Sequence, residues 1–186
     1  AAAARAWDQD HRSPYDSALG GRRPLDETAR RQLKIETEVT LGSKVVMVLW
    51  DLQKFYDSID PAILALQASR MQYPLDLLVL ALMIHPAPRV LRFQGGVSRQ
   101  ICEFARSILA GCTHSTSWAR AYLEQVEEEC PVSLWHLLCR HVDDMSQIVL
   151  AQSYRPLADR AVAMALPLAE AASNLKLTVS TKSCVV

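Results

Sequence analysis

The alternation of apolar and polar positions divides the chain into elements before any chemistry is considered. Residues 1–23 mix Ala, Arg, Asp, Ser and Gly with few large apolar side chains, so a loosely ordered lead-in is expected, ending at Gly20-Gly21-Arg22-Arg23. Pro24 suits a helix start, Asp26 and Glu27 suit a first turn, and Leu25, Ala29 and Leu33 recur at helical spacing. A helix over 25–41 follows, with Gly42 to cap it. Lys44 to Trp50 is a continuous β-branched and apolar run, the mark of a strand covered on both faces, and it ends abruptly at Asp51. Asp60-Pro61 opens a helix to about Arg70, and Pro74 opens another to about Ile84. Val90 to Phe93 and Arg99 to Phe104 flank Gly95-Gly96 as a hairpin would.

Trp118, Tyr122 and Val126 form a four-residue stripe in a helix over 115–129. Leu134 to Val142 and Met145 to Leu150 are apolar runs separated by Asp143-Asp144, the pattern of two strands joined by an acidic turn. An Ala-rich helix over 158–173 tolerates Pro167, and Leu175 to Val179 with Cys184 to Val186 read as closing strands near Lys182. In this order the elements suit an α+β fold, an antiparallel split β-α-β (ferredoxin-like) sheet with helices on one face.

Composition narrows the picture only a little. The chain has 186 residues, half of them hydrophobic, enough for one core. Its 20 Lys plus Arg balance 20 Asp plus Glu, so any polyanion-binding surface must be local. The five cysteines are odd in number, lack C-x-x-C spacing, and read as reduced and mostly buried. No signal peptide or run of membrane-spanning length is present, which leads to the expectation of a soluble intracellular protein without a membrane partner, nucleus and cytoplasm being undecided. His114, His136 and His141 lack zinc-site spacing and are assigned no metal, and Arg22, Arg23, Arg30 and Arg31 read as a solvated face before a phosphate site.

The chemistry lies in the carboxylates. A lone Asp at a strand end is ordinarily a turn residue. If the Asp51 strand neighbours the acidic hairpin, however, Asp51, Asp143 and Asp144 converge, and like charges that close require a cation or a proton. Mg²⁺, a hard oxygen-seeking ion, is the natural compensator, with Mn²⁺ as a substitute, and two such ions support in-line displacement at phosphorus. Nucleotidyl transfer is the activity that this chemistry suggests.

At these residues the chain resembles the reverse transcriptases, in particular the polymerase palm of non-LTR retrotransposons and group II introns. Asp51, Tyr56 and Asp57 in DLQKFYDSID match the first palm motif, and His141-Val142-Asp143-Asp144 matches the third, with His in the aromatic place. Gly111 matches the start of the Gly-x-x-Gln-Gly loop, in which His114-Ser115 replace Gln-Gly; Ser tolerates the backbone freedom of Gly poorly. Lys182 in LKLTVSTKS stands near the family's last palm lysine.

The resemblance covers about residues 19–186 and implies a palm with partial fingers over 24–186, the thumb being absent. It implies an RNA-directed DNA polymerase of a retroelement, working on an RNA or DNA template with a primer and dNTPs through two Mg²⁺. Asp51, Asp143 and Asp144 would be the metal ligands, joined by the Leu52 carbonyl. Phe55 and Tyr56 would lie on the nucleotide side, with Tyr56 excluding the 2′-hydroxyl, and Lys182 would protonate pyrophosphate. The alternative reading is a catalytically inactive remnant with at most nucleic-acid binding, motivated by the altered loop, the neutral charge and the short chain. A small-nucleotide transferase or cyclase of palm type fits the motifs less well.

Overall fold

The structure, a computed structural model, describes residues 2–100, 106–130, 133 and 135–186. Its centre is a four-stranded antiparallel sheet built from β1 (Lys44–Trp50), β4 (His136–His141), β5 (Asp144–Ala151) and β6 (Cys184–Val185), in the order β4-β5-β1-β6. That order, with helices between the first and second of these strands and between the third and last, is the split β-α-β arrangement expected from the sequence. β1 pairs with β5 along its whole length, from Lys44 opposite Ala151 to Trp50 opposite Met145. A separate two-stranded hairpin, β2 (Arg92–Phe93) and β3 (Gly96–Val97), turns at Gln94-Gly95. The second strand of that hairpin is thus nearer the turn than Arg99 to Phe104, of which residues 101–104 lie outside the described residues.

α7 (Tyr154–Asn174) packs on β5 and β1 and against α6 (Ser115–Glu128), which in turn carries α4 (Pro61–Arg70), with α5 (Leu75–Ile84) beyond it. The expected stripe of α6 is the heart of this layer: Trp118, Tyr122 and Val126 are fully buried. Gln147 of β5 fixes which face this is, because its amide donates to the Met164 carbonyl of α7 and its oxygen accepts from the Trp50 indole. The neighbouring Ser146 faces the opposite way and accepts from Arg31 of α2 (Pro24–Thr40) at 2.7 Å. α2 therefore crosses the other face of the sheet. No side chain of α2 is buried, and Leu25 and Leu33, whose spacing foretells the helix, point to solvent.

The lead-in differs from its expectation. Residues Ala2–Asp10 form α1, with Trp7 buried against Tyr73 and its indole donating to the Met71 carbonyl at 2.8 Å. Beyond it, Arg140 N–H donates to the Tyr15 carbonyl and Ser17 N–H to the Arg140 carbonyl, so the segment pairs with the edge of β4. Asp16, 2 % exposed, receives both Arg120 and Arg140 at 2.9 Å. A composition poor in large apolar residues hides this anchoring, because it rests on few buried side chains, Trp7, Leu19 and Asp16 among them, and on backbone pairing.

The remaining short elements follow their sequences only in part. α3 (Phe55–Ser58) is a single turn after β1, and Asp60 caps α4 by accepting from the N–H groups of Ala62 and Ile63. Leu175 to Val179 forms no strand; it makes one bridge, Val179 to Leu52. Of the described cysteines, all free, Cys130 is buried and Cys184 is exposed, so burial is less general than expected. No helix among the described residues is long and apolar enough to cross a membrane.

Candidate functional site

The polar ends of β1, β4 and β5 meet at one end of the sheet. Trp50 of β1 stands opposite Met145, one residue into β5 from Asp144, and His141 stands opposite Asp144 across the hairpin. The turn itself is Val142-Asp143, with Val142 at φ 59°. Asp51 follows the last residue of β1 directly and so emerges beside this turn. Its charge and that of Asp144 both raise the Asp143 carboxyl above the ordinary carboxylate range; burial is the largest cause, while the residue's own N–H and His141 oppose it. Asp143 thus lies within electrostatic reach of both Asp144 and Asp51.

Asp51 and Asp144 line a cleft of about 400 Å³ together with Lys182, Arg31, His141 and Ser146. Lys182 is exposed at its rim. Arg31, one of four arginines read from sequence as a solvated face, is instead a wall of the cleft. Arg22 is spent on the carbonyls of Pro14 and Asp16, and Arg30 pairs with Glu27 on the surface. No feature of the sequence distinguishes Arg31 from its neighbour Arg30; only the direction of α2 across the sheet does.

Tyr56 is half-buried within electrostatic reach of Asp143. Burial and then the Asp143 charge raise its hydroxyl pKa, with hydrogen bonding to Ser115 acting the other way. Residues from the first motif, the hairpin turn and the start of α6 are thereby brought together. Phe55 does not join them: it is 2 % exposed, with its ring against Tyr56 and Tyr122 in the core. The Leu52 side chain is buried too, and the bridge to Val179 uses the Asp51 carbonyl and the Gln53 N–H, not the backbone groups of Leu52.

Ser115 is the first residue of α6 and has no left-handed backbone, so glycine is not needed there. The left-handed position of the loop is Gly111, at φ +83°, which the sequence retains. His114 precedes the helix with its ring tilted over Trp118 and its Nδ1 3.3 Å from the Tyr73 hydroxyl. The expectation of a strained Ser is thus corrected: Ser115 occupies a helical position that needs no glycine.

The donor set of this site, carboxylate oxygens at one end of a sheet, fits a hard divalent ion in kind. Among the described residues, however, no group of three or more His, Cys, Asp or Glu side chains is drawn together closely enough to hold one.

Comparison with known proteins gives the fold context. No protein-family model matches the chain, and no curated protein matches it. Among solved structures, telomerase from Candida albicans, in complex with a TWJ fragment of telomeric RNA, is similar in fold, with a TM-score of 0.60 at 12 % sequence identity. The match covers 98 % of this chain and 33 % of that one, so the chain spans about a third of the length of the telomerase chain. The fold of this chain is α+β and is similar to that of part of the telomerase chain.

Proposed function

We propose that the chain is the nucleotidyl-transfer domain of an RNA-directed DNA polymerase of retroelement type, extending a primer on a template with dNTPs. The observation that supports the reading is the placement of Asp51, Asp143 and Asp144 at one end of the sheet, Asp143 within electrostatic reach of the other two, with Lys182 lining the same cleft as Asp51 and Asp144. Asp143, whose charge is disfavoured by burial and by two neighbouring carboxylates, gains most from a cation. Asp51, Asp143 and Asp144 would hold Mg²⁺ or Mn²⁺. When bound, the two ions would supply charge neutralisation and in-line activation at phosphorus.

The chain's own groups do the rest. The primer 3′-hydroxyl loses its proton to water, its oxygen bonds to the α-phosphorus as the bond from that phosphorus to the bridging oxygen of the β-phosphate breaks, and the Lys182 ammonium donates a proton to the departing pyrophosphate, regaining one from solvent. The Tyr56 ring, held by its half-buried position, sits under the sugar and leaves no room for a 2′-hydroxyl. The expected outcome of Asp51→Asn or Asp143→Asn is loss of primer extension by at least about 10²-fold, the scale of removing one essential electrostatic group. Circular dichroism of the variants should match that of the parent chain. Extension that survives in either variant would sink the assignment.

The openness of the carboxylate group favours one second reading, a remnant that keeps the fold and at most binds nucleic acid. Titration with Mn²⁺, followed by broadening of the Asp51 and Asp143 resonances, separates the two. Saturable binding supports the polymerase, and its absence supports the remnant.

A further inference from the structure

The pairing of β1 with the C-terminal strand changes register beside Asp51. Leu49 stands opposite Cys184, and Leu52 stands opposite Val179. Between those pairs β1 supplies only Trp50 and Asp51, whereas the other strand supplies Ser180, Thr181, Lys182 and Ser183. Two residues are therefore in excess, and the strand bulges outward as a turn closed by Ser183 N–H on the Ser180 carbonyl at 3.0 Å. Such bulges re-aim side chains, and this one turns Lys182 into the cleft that Asp51 lines.

The bulge removes the backbone carbonyl that would ordinarily accept from Asp51. Ser183 replaces it: its Oγ accepts the Asp51 N–H at 3.0 Å and lies 3.4 Å from the Asp51 carbonyl oxygen. That same carbonyl accepts from Ser180 N–H at 2.7 Å. Both backbone groups of Asp51 are thus held by the turn that carries Lys182, and one of the two depends on a side-chain hydroxyl. An alanine there would leave the Asp51 N–H to water or to nothing.

We infer that Ser183 is a positioning residue, whose hydroxyl locks Asp51 and Lys182 into one rigid unit so that carboxylate and ammonium enter the cleft at a fixed separation. The inference rests on the nucleotidyl-transfer reading for its consequence, though not for the lock itself.

The test compares Ser183→Ala with Ser183→Thr, which keeps the hydroxyl, by two readouts. Amide hydrogen exchange in the absence of metal should show the Asp51 N–H exchanging about tenfold faster in the Ala variant and near the parent rate in the Thr variant, with Val48 and Leu49 unchanged. Primer extension should show kcat falling about 10–100-fold in the Ala variant with the dNTP KM within about twofold, and recovery in the Thr variant, as misplacement of a reacting group predicts. Unchanged Asp51 exchange overturns the lock. Equal losses in both variants, a loss confined to KM, or unaltered kcat despite faster exchange overturns the positioning role. If the Ala variant does not fold, Ser183→Cys, a weak acceptor of similar size, takes its place. Asp51→Asn is run alongside. Extension indifferent to that change defeats the polymerase reading and with it the catalytic role of Ser183, while the exchange data still decide the lock.

Discussion

Val142 holds the hairpin turn at φ 59°, a region that β-branched side chains rarely enter, and it does so between His141 and the first acidic residue of the site. The left-handed backbone costs about 1–2 kcal/mol. Against this, the side chain is partly buried on the core cluster, which returns about 1 kcal/mol for roughly half of a valine. Val142→Gly should therefore leave stability within about 1 kcal/mol of the parent while loosening the turn that aims Asp143. A fall in kcat of about tenfold, with an unchanged urea midpoint, is the expected pair of measurements. At this scale the sequence discloses charge more readily than geometry. Asp51 and Asp143 can be read because each interrupts an apolar run, where a carboxylate needs a reason. Ser183 and Arg31 resemble any surface serine or arginine, and what singles them out is a register shift and a helix direction. Phe55 and Tyr56 show the same limit: adjacent rings on one turn face different ways, one to the core and one toward Asp143.

Among the elements, helix starts are plainer in the sequence than helix ends. Pro24, Asp60-Pro61 and Pro74 mark their helices because proline and a capping carboxylate act locally. Three helices end in the same way, with a left-handed residue just past the C-cap: Gly42 after α2, Gln72 after α4 and Lys176 after α7. In each, the next N–H reaches back to the third-last helical carbonyl: Ser43 to Glu38, Tyr73 to Ala68, and Leu177 to Ala172. Only the first of these carries the glycine that signals it. Lys176 has a reason to remain, since its ammonium meets Asp60 at 2.7 Å, whereas Gln72 makes no such ion pair. Gln72→Gly should accordingly raise stability by about 0.5 kcal/mol, relief of backbone strain outweighing the extra freedom of the unfolded chain. Gly42→Ala should lower it by about 1 kcal/mol. Chemical denaturation of the two variants reads both signs, and a destabilised Gln72→Gly would refute the account of the α4 end. The apolar stripe of α2 is the opposite case. Its spacing foretells a helix correctly, yet the stripe faces solvent, because periodicity reports that a face is apolar and not what covers it.

For the molecule as a whole, the least legible feature is the belt formed by the lead-in. α1 lies on the helical layer through Trp7, the Tyr15 to Ser17 segment lies on the edge of β4, and the two are tied to α6 and β4 through Asp8, Asp16, Arg120, Arg140 and Glu127. These charges are far apart in sequence and each is unremarkable alone, so only the fold makes them a network. Burial by itself would raise the Asp16 carboxyl, but Arg140, the Arg120 hydrogen bond and the Ala18 N–H together bring it below the ordinary value. A carboxylate whose pKa is depressed by folding contributes stability above its unfolded pKa, near 4, and that contribution is lost as pH falls through the lower folded value. Asp16→Asn leaves Arg120 and Arg140, both almost fully buried, with Asp8 and Glu127 as their ion-pair partners among the described residues. Breaking a buried pair in this way costs about 3 kcal/mol. The variant should therefore unfold at lower urea than the parent by a margin that is constant from pH 5 to pH 8 and narrows below pH 4, where the parent loses the same charge. Its α1 amides should also exchange faster than those of α6. A margin that persists undiminished in acid would show that Asp16 acts through hydrogen bonds that do not need its charge, and the absence of a margin at any pH would show that the belt is held by Trp7 and backbone pairing alone.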